Sequence, residues 1–289
     1  MSYAYFIGCQ VPARFNNYDV STRNVAKALG IDLRDLEGAG CCGLSIRAFS
    51  FETWLAMGAR ILAMAEEKDQ ELVTVCNGCY GALVETRNIL EENDKLREKI
   101  NEMLSAEGLK YQGKTGVKHF IQILYYDYGL ENIKAAVKQC FDQFNVAVHY
   151  GCHVLRPSKN TKFDNSENPK MLDELVEATG AKSIYWPLKL WCCGAPTLAF
   201  DVNLGIKLAG IKLKNAKECG AHCMVTICPI CGTQFDLQQS VIAEAFGEEY
   251  NLPALFYPQI LGLALGLKPT DVGLELNRVP ADSILQFLK

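Results

Sequence analysis

The sequence predicts an α/β protein built from two tandem, similar Rossmann-like halves related by internal duplication. Three observations carry this reading: a repeat of cysteines, a repeat of strand-like runs ahead of them, and helical segments in between. Cys9 is followed by the pair Cys41-Cys42 and then by Cys76-x-x-Cys79; Cys152 is followed by Cys192-Cys193 and then by Cys228-x-x-Cys231. The surroundings recur with the cysteines. Apolar Ala4 to Ile7 runs into Gly8-Cys9, as Val146 to His149 runs into Tyr150, Gly151 and Cys152. Leu72 to Val75 before Cys76 matches Met224 to Ile227 before Cys228, and Gly43 and Gly194 each follow a cysteine pair. Short, β-branched-rich apolar runs of this kind are buried strands.

Between the strands, Trp54, Met57, Ile61, Leu62 and Ala65 fall at helical spacing, an amphipathic helix after the first cysteine pair. Strands alternating with helices imply a mainly parallel sheet in each half, in which ligands bind beyond the carboxyl ends of the strands. Cys9, Cys76, Cys152 and Cys228 all lie just past such ends. The expected division is residues 1–145 and 146–289. Gln122-Ile123-Leu124 recurs as Gln259-Ile260-Leu261, at a smaller offset than the Cys-x-x-Cys motifs show, so the first half carries an insertion. The charged stretch Glu91 to Glu107 fits it, as a solvated helical extension.

Composition bounds the function. An apolar fraction of 49% with 21% charged residues is that of a globular protein. The most apolar segment, Leu252 to Leu267, contains Pro253 and Pro258 and is shorter than the roughly 20 residues of a spanning helix, so it reads as a buried helix. No basic, cleavable leader precedes Ala4, which leads to an expectation of a cytoplasmic protein with no membrane partner. The formal charge of −4, without clusters of Lys and Arg, gives no support to nucleic acid as a partner.

The chain has 13 cysteines, an odd number, and in a reducing compartment metal ligation explains them better than a disulfide framework. Several sites remain open on spacing. A zinc ribbon needs two Cys-x-x-Cys knuckles close together, and here they lie in opposite halves. A ferredoxin-type cubane takes four closely spaced cysteines, whereas each half offers five. A vicinal disulfide at Cys41-Cys42 or Cys192-Cys193 is a further alternative. Five thiolates, two of them adjacent, suggest a cluster distorted from the cube. Helix N-termini beside the cysteines favour its negative charge.

The doubled pattern, together with His149-Tyr150-Gly151-Cys152-His153 and Arg156-Pro157, resembles the catalytic, B-type subunit of heterodisulfide reductase from methanogenic archaea over nearly the whole chain. The resemblance implies two non-cubane 4Fe-4S clusters at the carboxyl ends of the strands. Cys9, Cys41, Cys42, Cys76 and Cys79 would hold one; Cys152, Cys192, Cys193, Cys228 and Cys231 would hold the other. It also implies reduction of the mixed disulfide of coenzyme M and coenzyme B. Electrons would come through a ferredoxin-type subunit and a flavin-containing subunit of the same complex, fed by a hydrogenase or formate dehydrogenase. Cleaving a disulfide takes two electrons, so two one-electron centres suit the chemistry.

His153 could supply a proton or hydrogen bond, though a histidine at a loop edge is more often structural. Arg14, Arg47, Arg156 and Lys159 lie near cluster ligands and are candidates for binding the anionic ends of the coenzymes, against the plainer reading of surface charges. Cys140 and Cys223 in helical or strand contexts, and Cys219 at a helix end, read as small apolar residues rather than ligands. Trp54, Trp186 and Trp191 read as core, with Trp191 placed to shield the second cluster. Two alternatives accompany the disulfide reductase. One is a cysteine-rich electron-transfer subunit of a hydroxy-acid or succinate/fumarate oxidoreductase; the other is a zinc-stabilised scaffold.

Overall fold

The computed structural model describes residues 1–289. In the first half β1 (Ser2–Phe6) leads through α1 (Gln10–Arg14) and α2 (Asn16–Ala28) to β2 (Asp32–Asp35). Next come α3 (Phe51–Glu66), β3 (Leu72–Thr74), α4 (Asn77–Glu92) and α5 (Asp94–Leu104), then β4 (Val117–His119), α6 (Phe120–Gln122) and α7 (Leu130–Ala136). The second half opens with β5 (Asn145–His149), α8 (Ser158–Thr161), α9 (Met171–Glu177) and β6 (Lys182–Ser183). It continues with α10 (Val202–Glu218), β7 (Cys223–Thr226), α11 (Pro229–Gly232), α12 (Gln239–Phe246), β8 (Ala254–Phe256) and α13 (Tyr257–Ala264).

The strands form two four-stranded parallel sheets of the same topology, β2-β1-β3-β4 and β6-β5-β7-β8. The fold is therefore the duplicated α/β arrangement that the sequence predicts. The central strands β1, β3, β5 and β7 are almost wholly buried, as strands covered on both faces must be, which is why they read as unbroken apolar runs. The edge strands β2 and β6 are polar and partly exposed, and no apolar run announces them.

Four expectations need correction. Leu252 to Leu267 is not one helix: Ala254–Phe256 pairs with β7, and the helix begins only at Tyr257. The Gln259 side-chain oxygen accepts from the Phe256 amide at 3.0 Å and Pro258 sits in the first turn, so the start is fixed there. The insertion does contain a helix, α5, but one that buries Ile100 and Leu104 and joins α3 through a Lys99–Glu52 pair, so only its outer face is solvated. Cys140 is exposed in the loop after α7 rather than held in a helix or strand, whereas Cys223 is buried in β7 and Cys219 caps α10. Trp54 and Trp186 are core, but Trp191 is 55% exposed.

The halves share a continuous core in which α2 packs against α13. Asn17 donates to the Asn277 side-chain oxygen at 3.2 Å, and Asn277 donates in turn to the Ala254 carbonyl. At the centre of the join the Tyr18 hydroxyl lies 2.8 Å from the Val75 carbonyl oxygen and 3.1 Å from that of Ile227, the matched residues at the ends of β3 and β7. Its ring stacks flat on Phe256, with centroids 4.0 Å apart. Tyr18→Phe keeps the stacking and removes this buried hydrogen bond across the halves. A loss of about 1–2 kcal/mol is expected, read as a lower urea midpoint at unchanged slope.

Candidate metal centre

In each sheet the chain passes outward on opposite sides, from β1 to β2 and from β3 to β4, and likewise from β5 to β6 and from β7 to β8, so the loops beyond the carboxyl ends of the two central strands border the crevice where ligands collect. Three loops meet there in each half. Cys9 follows β1, Cys41-Cys42 follows β2, and Cys76 caps α4 after β3. Cys152, Cys192-Cys193 and Cys228 follow β5, β6 and β7 in the same way.

The ten thiols form a nearly continuous row. Cys9 and Cys41 are 3.9 Å apart. From Cys41 the row of thiols that shift one another's acidity runs through Cys42, Cys79 and Cys76, crosses to Cys228, and continues through Cys231 and Cys193 to Cys192. Cys152 completes the second set from the side, within the field of Cys193 and Cys228. The same three positions are buried in both halves. Cys42, Cys76, Cys79 and their counterparts Cys193, Cys228 and Cys231 are buried, while Cys9, Cys41, Cys152 and Cys192 reach the rim.

Local backbone explains why these positions suit thiolates. The Gly43 amide turns back to donate to the Cys41 sulfur at 3.5 Å, and the Gly194 amide to the Cys192 sulfur at 3.3 Å. Gly151 has φ +80°, and a Cβ there would stand 3.4 Å from the Cys231 sulfur and 2.6 Å from the Asn77 amide nitrogen. Gly8, at φ +73°, would crowd Cys79 in the same manner, so both strand exits leave room only for backbone beside a sulfur.

Shared protons set the thiol acidities. Cys42 and Cys193 are held well below the ordinary thiol range, first by the hydrogen bonds from Cys41 and Cys192, which are themselves pushed up. Cys228 is likewise lowered by Cys231 and Cys76. Burial raises Cys152 to about 11. Thiolate is the form that ligates metal, so a metal centre would displace protons from this row.

The sequence assigns no role to two polar groups that lie behind the second set. His149 is buried with Nε2 3.3 Å from the Cys231 sulfur and Nδ1 3.2 Å from the Lys189 carbonyl oxygen, so Nδ1 carries the proton toward that carbonyl. Burial lowers its pKa. Lys212 is fully buried and donates to the carbonyls of Leu188 and Trp191, in the loop that presents Cys192. Its ammonium lies 4.5 Å from the centre of the Trp186 ring; burial lowers its pKa to about 7, against the pull of the Cys231, Cys193 and Cys192 thiols.

The other candidate residues are scattered. His153 is exposed beside Cys152, its Nδ1 over Gly78 of the first half. Arg14, exposed at the end of α1, has no ion-pair partner. Arg47 is engaged by Glu85 through two bonds of 2.7 and 2.8 Å and lies over the Trp54 ring. Arg156 approaches Glu167 at 3.6 Å, and Lys159 lines a cavity of about 670 Å³ with Glu85, Asn88 and Glu92 on the outer side of α4.

No three of the His, Cys, Asp and Glu side chains surround a single point closely enough to hold one metal ion. Five thiols strung along each half instead suit a polynuclear cluster, whose irons take separate thiolates, better than a tetrahedral single-ion cage. No helix is long and apolar enough to cross a membrane.

The family model described as "Cysteine-rich domain" (CCG) matches residues 3–84 and 146–236. The chain is 37% identical, over 95% of its length and 92% of the relative's, to the B-type subunit of ferredoxin:CoB-CoM heterodisulfide reductase of Methanosarcina mazei. It is 36% identical to a protein of Archaeoglobus profundus described as like that same heterodisulfide reductase subunit, covering 99% of this chain and 97% of that one. It is also 32% identical, over 98% of each chain, to the 8-methylmenaquinol:fumarate reductase membrane anchor subunit of Wolinella succinogenes. A crystal structure of a hypothetical protein from Helicobacter pylori superimposes with a TM-score of 0.79 at 17% identity, a likeness of fold. It covers 98% of this chain, which spans about half of that one (52%). The chain belongs to the cysteine-rich domain family that includes these heterodisulfide reductase subunits.

The crowding at the strand exit is testable. Gly151→Ala should cost about 1–3 kcal/mol, from strain at positive φ and displacement of Asn77, and should lower the metal retained after purification. Gly247, at φ +63° with no atom within 4 Å of an added Cβ, is the control. Gly247→Ala should cost about 1 kcal/mol, the backbone term alone, and leave metal content unchanged.

Proposed function

We propose that this chain is the iron-sulfur subunit of a cytoplasmic heterodisulfide reductase and reduces the coenzyme M–coenzyme B disulfide to the two thiols. The observation that supports this most is the thiol row that crosses the join at Cys76 and Cys228, which brings two five-cysteine sets, one from residues 1–145 and one from 146–289, face to face. When bound, two non-cubane 4Fe-4S clusters, one on each set, would supply the two one-electron transfers that cleavage of a disulfide requires.

The chain's own groups do the rest in this reading. The Gly43 and Gly194 amides and the start of α4 stabilise the thiolates, and the buried inner thiols keep water from the centre. The rim at Cys9, Cys41, Cys152 and Cys192 is the side from which a disulfide approaches. His153, exposed beside Cys152, can pass a proton from its imidazole to a product thiolate. Arg14, which carries no ion pair, is freer to meet a sulfonate or phosphate than Arg47, already paired with Glu85, Arg156, near Glu167, or Lys159, which faces Glu85 and Glu92 across its cavity. Electrons would arrive through a ferredoxin-type subunit and a flavin-containing subunit, from a hydrogenase or formate dehydrogenase.

A second reading is favoured by the similarity to the Wolinella protein: an electron-transfer subunit working between a quinol and fumarate, on the same cysteines. Activity separates the two. Purified chain with a reduced viologen should reduce the heterodisulfide but not a quinone analogue; the reverse result selects the second reading. Metal analysis should give about eight irons per chain, two clusters of four. Zinc in their place overturns both readings in favour of a scaffold. Cys193→Ala should abolish disulfide reduction while the first set keeps its iron signal, and retained turnover in that variant would sink the two-centre mechanism.

A further inference from the structure

The duplication supplies its own reference: any group behind one cysteine set can be compared with the residue at the matched position behind the other. α3 and α10 begin with matched N-caps, Ser50 and Asp201, each the same distance past its cysteine pair. Counted from those caps, Lys212 stands where the first half has Ile61, and both are fully buried. β1 and β5 align through Cys9 and Cys152, which sets His149 opposite Phe6, again both buried. The second set is therefore backed by an amine and an imidazole where the first is backed by a branched alkyl group and a phenyl ring.

The amine is also unbalanced. In the first half the loop before Cys41 is tied from outside by Arg60, which donates to the Gly38 and Ala39 carbonyls at 2.9 and 3.1 Å. That guanidinium is partly solvated and is offset by Glu107 at 2.8 Å. Lys212 ties the corresponding loop through Leu188 and Trp191, but from within the core and with no carboxylate in reach. The charged or chargeable groups that face it are His149 and the thiols of Cys192, Cys193 and Cys231. A buried cation without an anion is costly, and the anion available here is the thiolate set itself.

We propose that Lys212 is the built-in counter-charge of the second cysteine set and makes its metal centre the more readily reduced of the two. This rests on the iron-sulfur reading above. Adding an electron makes a thiolate-ligated centre more negative, so an ammonium held beside it by the Leu188 and Trp191 carbonyls favours the reduced form. Lys212 is thus a positioning residue for the loop and an electrostatic one for the centre.

The test is a redox titration of the whole chain with its metal centres, using dithionite and following each centre by electron paramagnetic resonance. Cys42→Ala and Cys193→Ala each leave one intact set and so assign the two midpoints. The second set should lie higher by at least a tenfold change in the one-electron equilibrium constant, which is about 59 mV. Lys212→Met should lower that midpoint by a comparable amount and leave the first unchanged, whereas Lys212→Arg, which keeps the charge, should retain most of the difference. A loop merely loosened by substitution would not leave the first midpoint fixed while charge alone set the second. Equal midpoints in the single-set variants overturn the proposal even if Lys212→Met fails to fold. A Lys212→Met midpoint equal to that of the unsubstituted chain also overturns it. Iron at neither set overturns both this inference and the iron-sulfur reading; iron at both sets with equal potentials overturns the inference alone.

Discussion

Everything at the centre of this molecule depends on the contact between the ends of β3 and β7. Val75 and Ile227 present carbonyls to one tyrosine hydroxyl, and the next residues, Cys76 and Cys228, bring their thiols together. Neither strand end can shift without moving the other, because both are anchored in sheets that share one core. The two cysteine sets are therefore not independent pockets on a duplicated scaffold. They are two ends of a single row whose buried midpoint lies on the join between the halves.

That row explains the residues around it. Thiolates buried among apolar side chains need compensation, and each half supplies it from backbone: a glycine amide turned onto the first cysteine of the pair, and a helix start at the Cys-x-x-Cys. Backbone donors are fixed by the fold, so both halves have them. Side-chain compensation can differ, and it does, because Phe6 and Ile61 are free to diverge from His149 and Lys212 without disturbing the strand or helix that carries them. The asymmetry is confined to the layer behind the sulfurs, where a change of side chain leaves the loop geometry intact.

The same distinction decides what can be read from the sequence. The strands before Cys9, Cys76, Cys152 and Cys228 are legible because they are buried on both faces and so appear as short apolar runs, and the duplication repeats them. The edge strands β2 and β6 are not, since Asp32–Asp35 and Lys182–Ser183 are held by pairing to β1 and β5 rather than by burial of apolar side chains. Nor is Lys212 legible among Lys207, Lys214 and Lys217 on the same helix; only packing separates one buried ammonium from three that reach solvent. Sequence proximity to a ligand also misleads for Arg47, whose guanidinium is taken up by Glu85 from another helix.

A signal for Lys212 and His149 does exist, in the comparison of the halves rather than in either half. Aligning the two repeats at the cysteine pairs sets an apolar residue against a basic one at a buried position, and a buried position that gains a charge must answer to a charge nearby. The feature common to the two environments at that depth is the row of thiols. In a duplicated fold the informative residues are thus of two kinds. Those that match, the ten cysteines and the glycines beside them, define what both halves hold. Those that fail to match at equal burial, Ile61 against Lys212 and Phe6 against His149, are where two chemically similar centres acquire different surroundings.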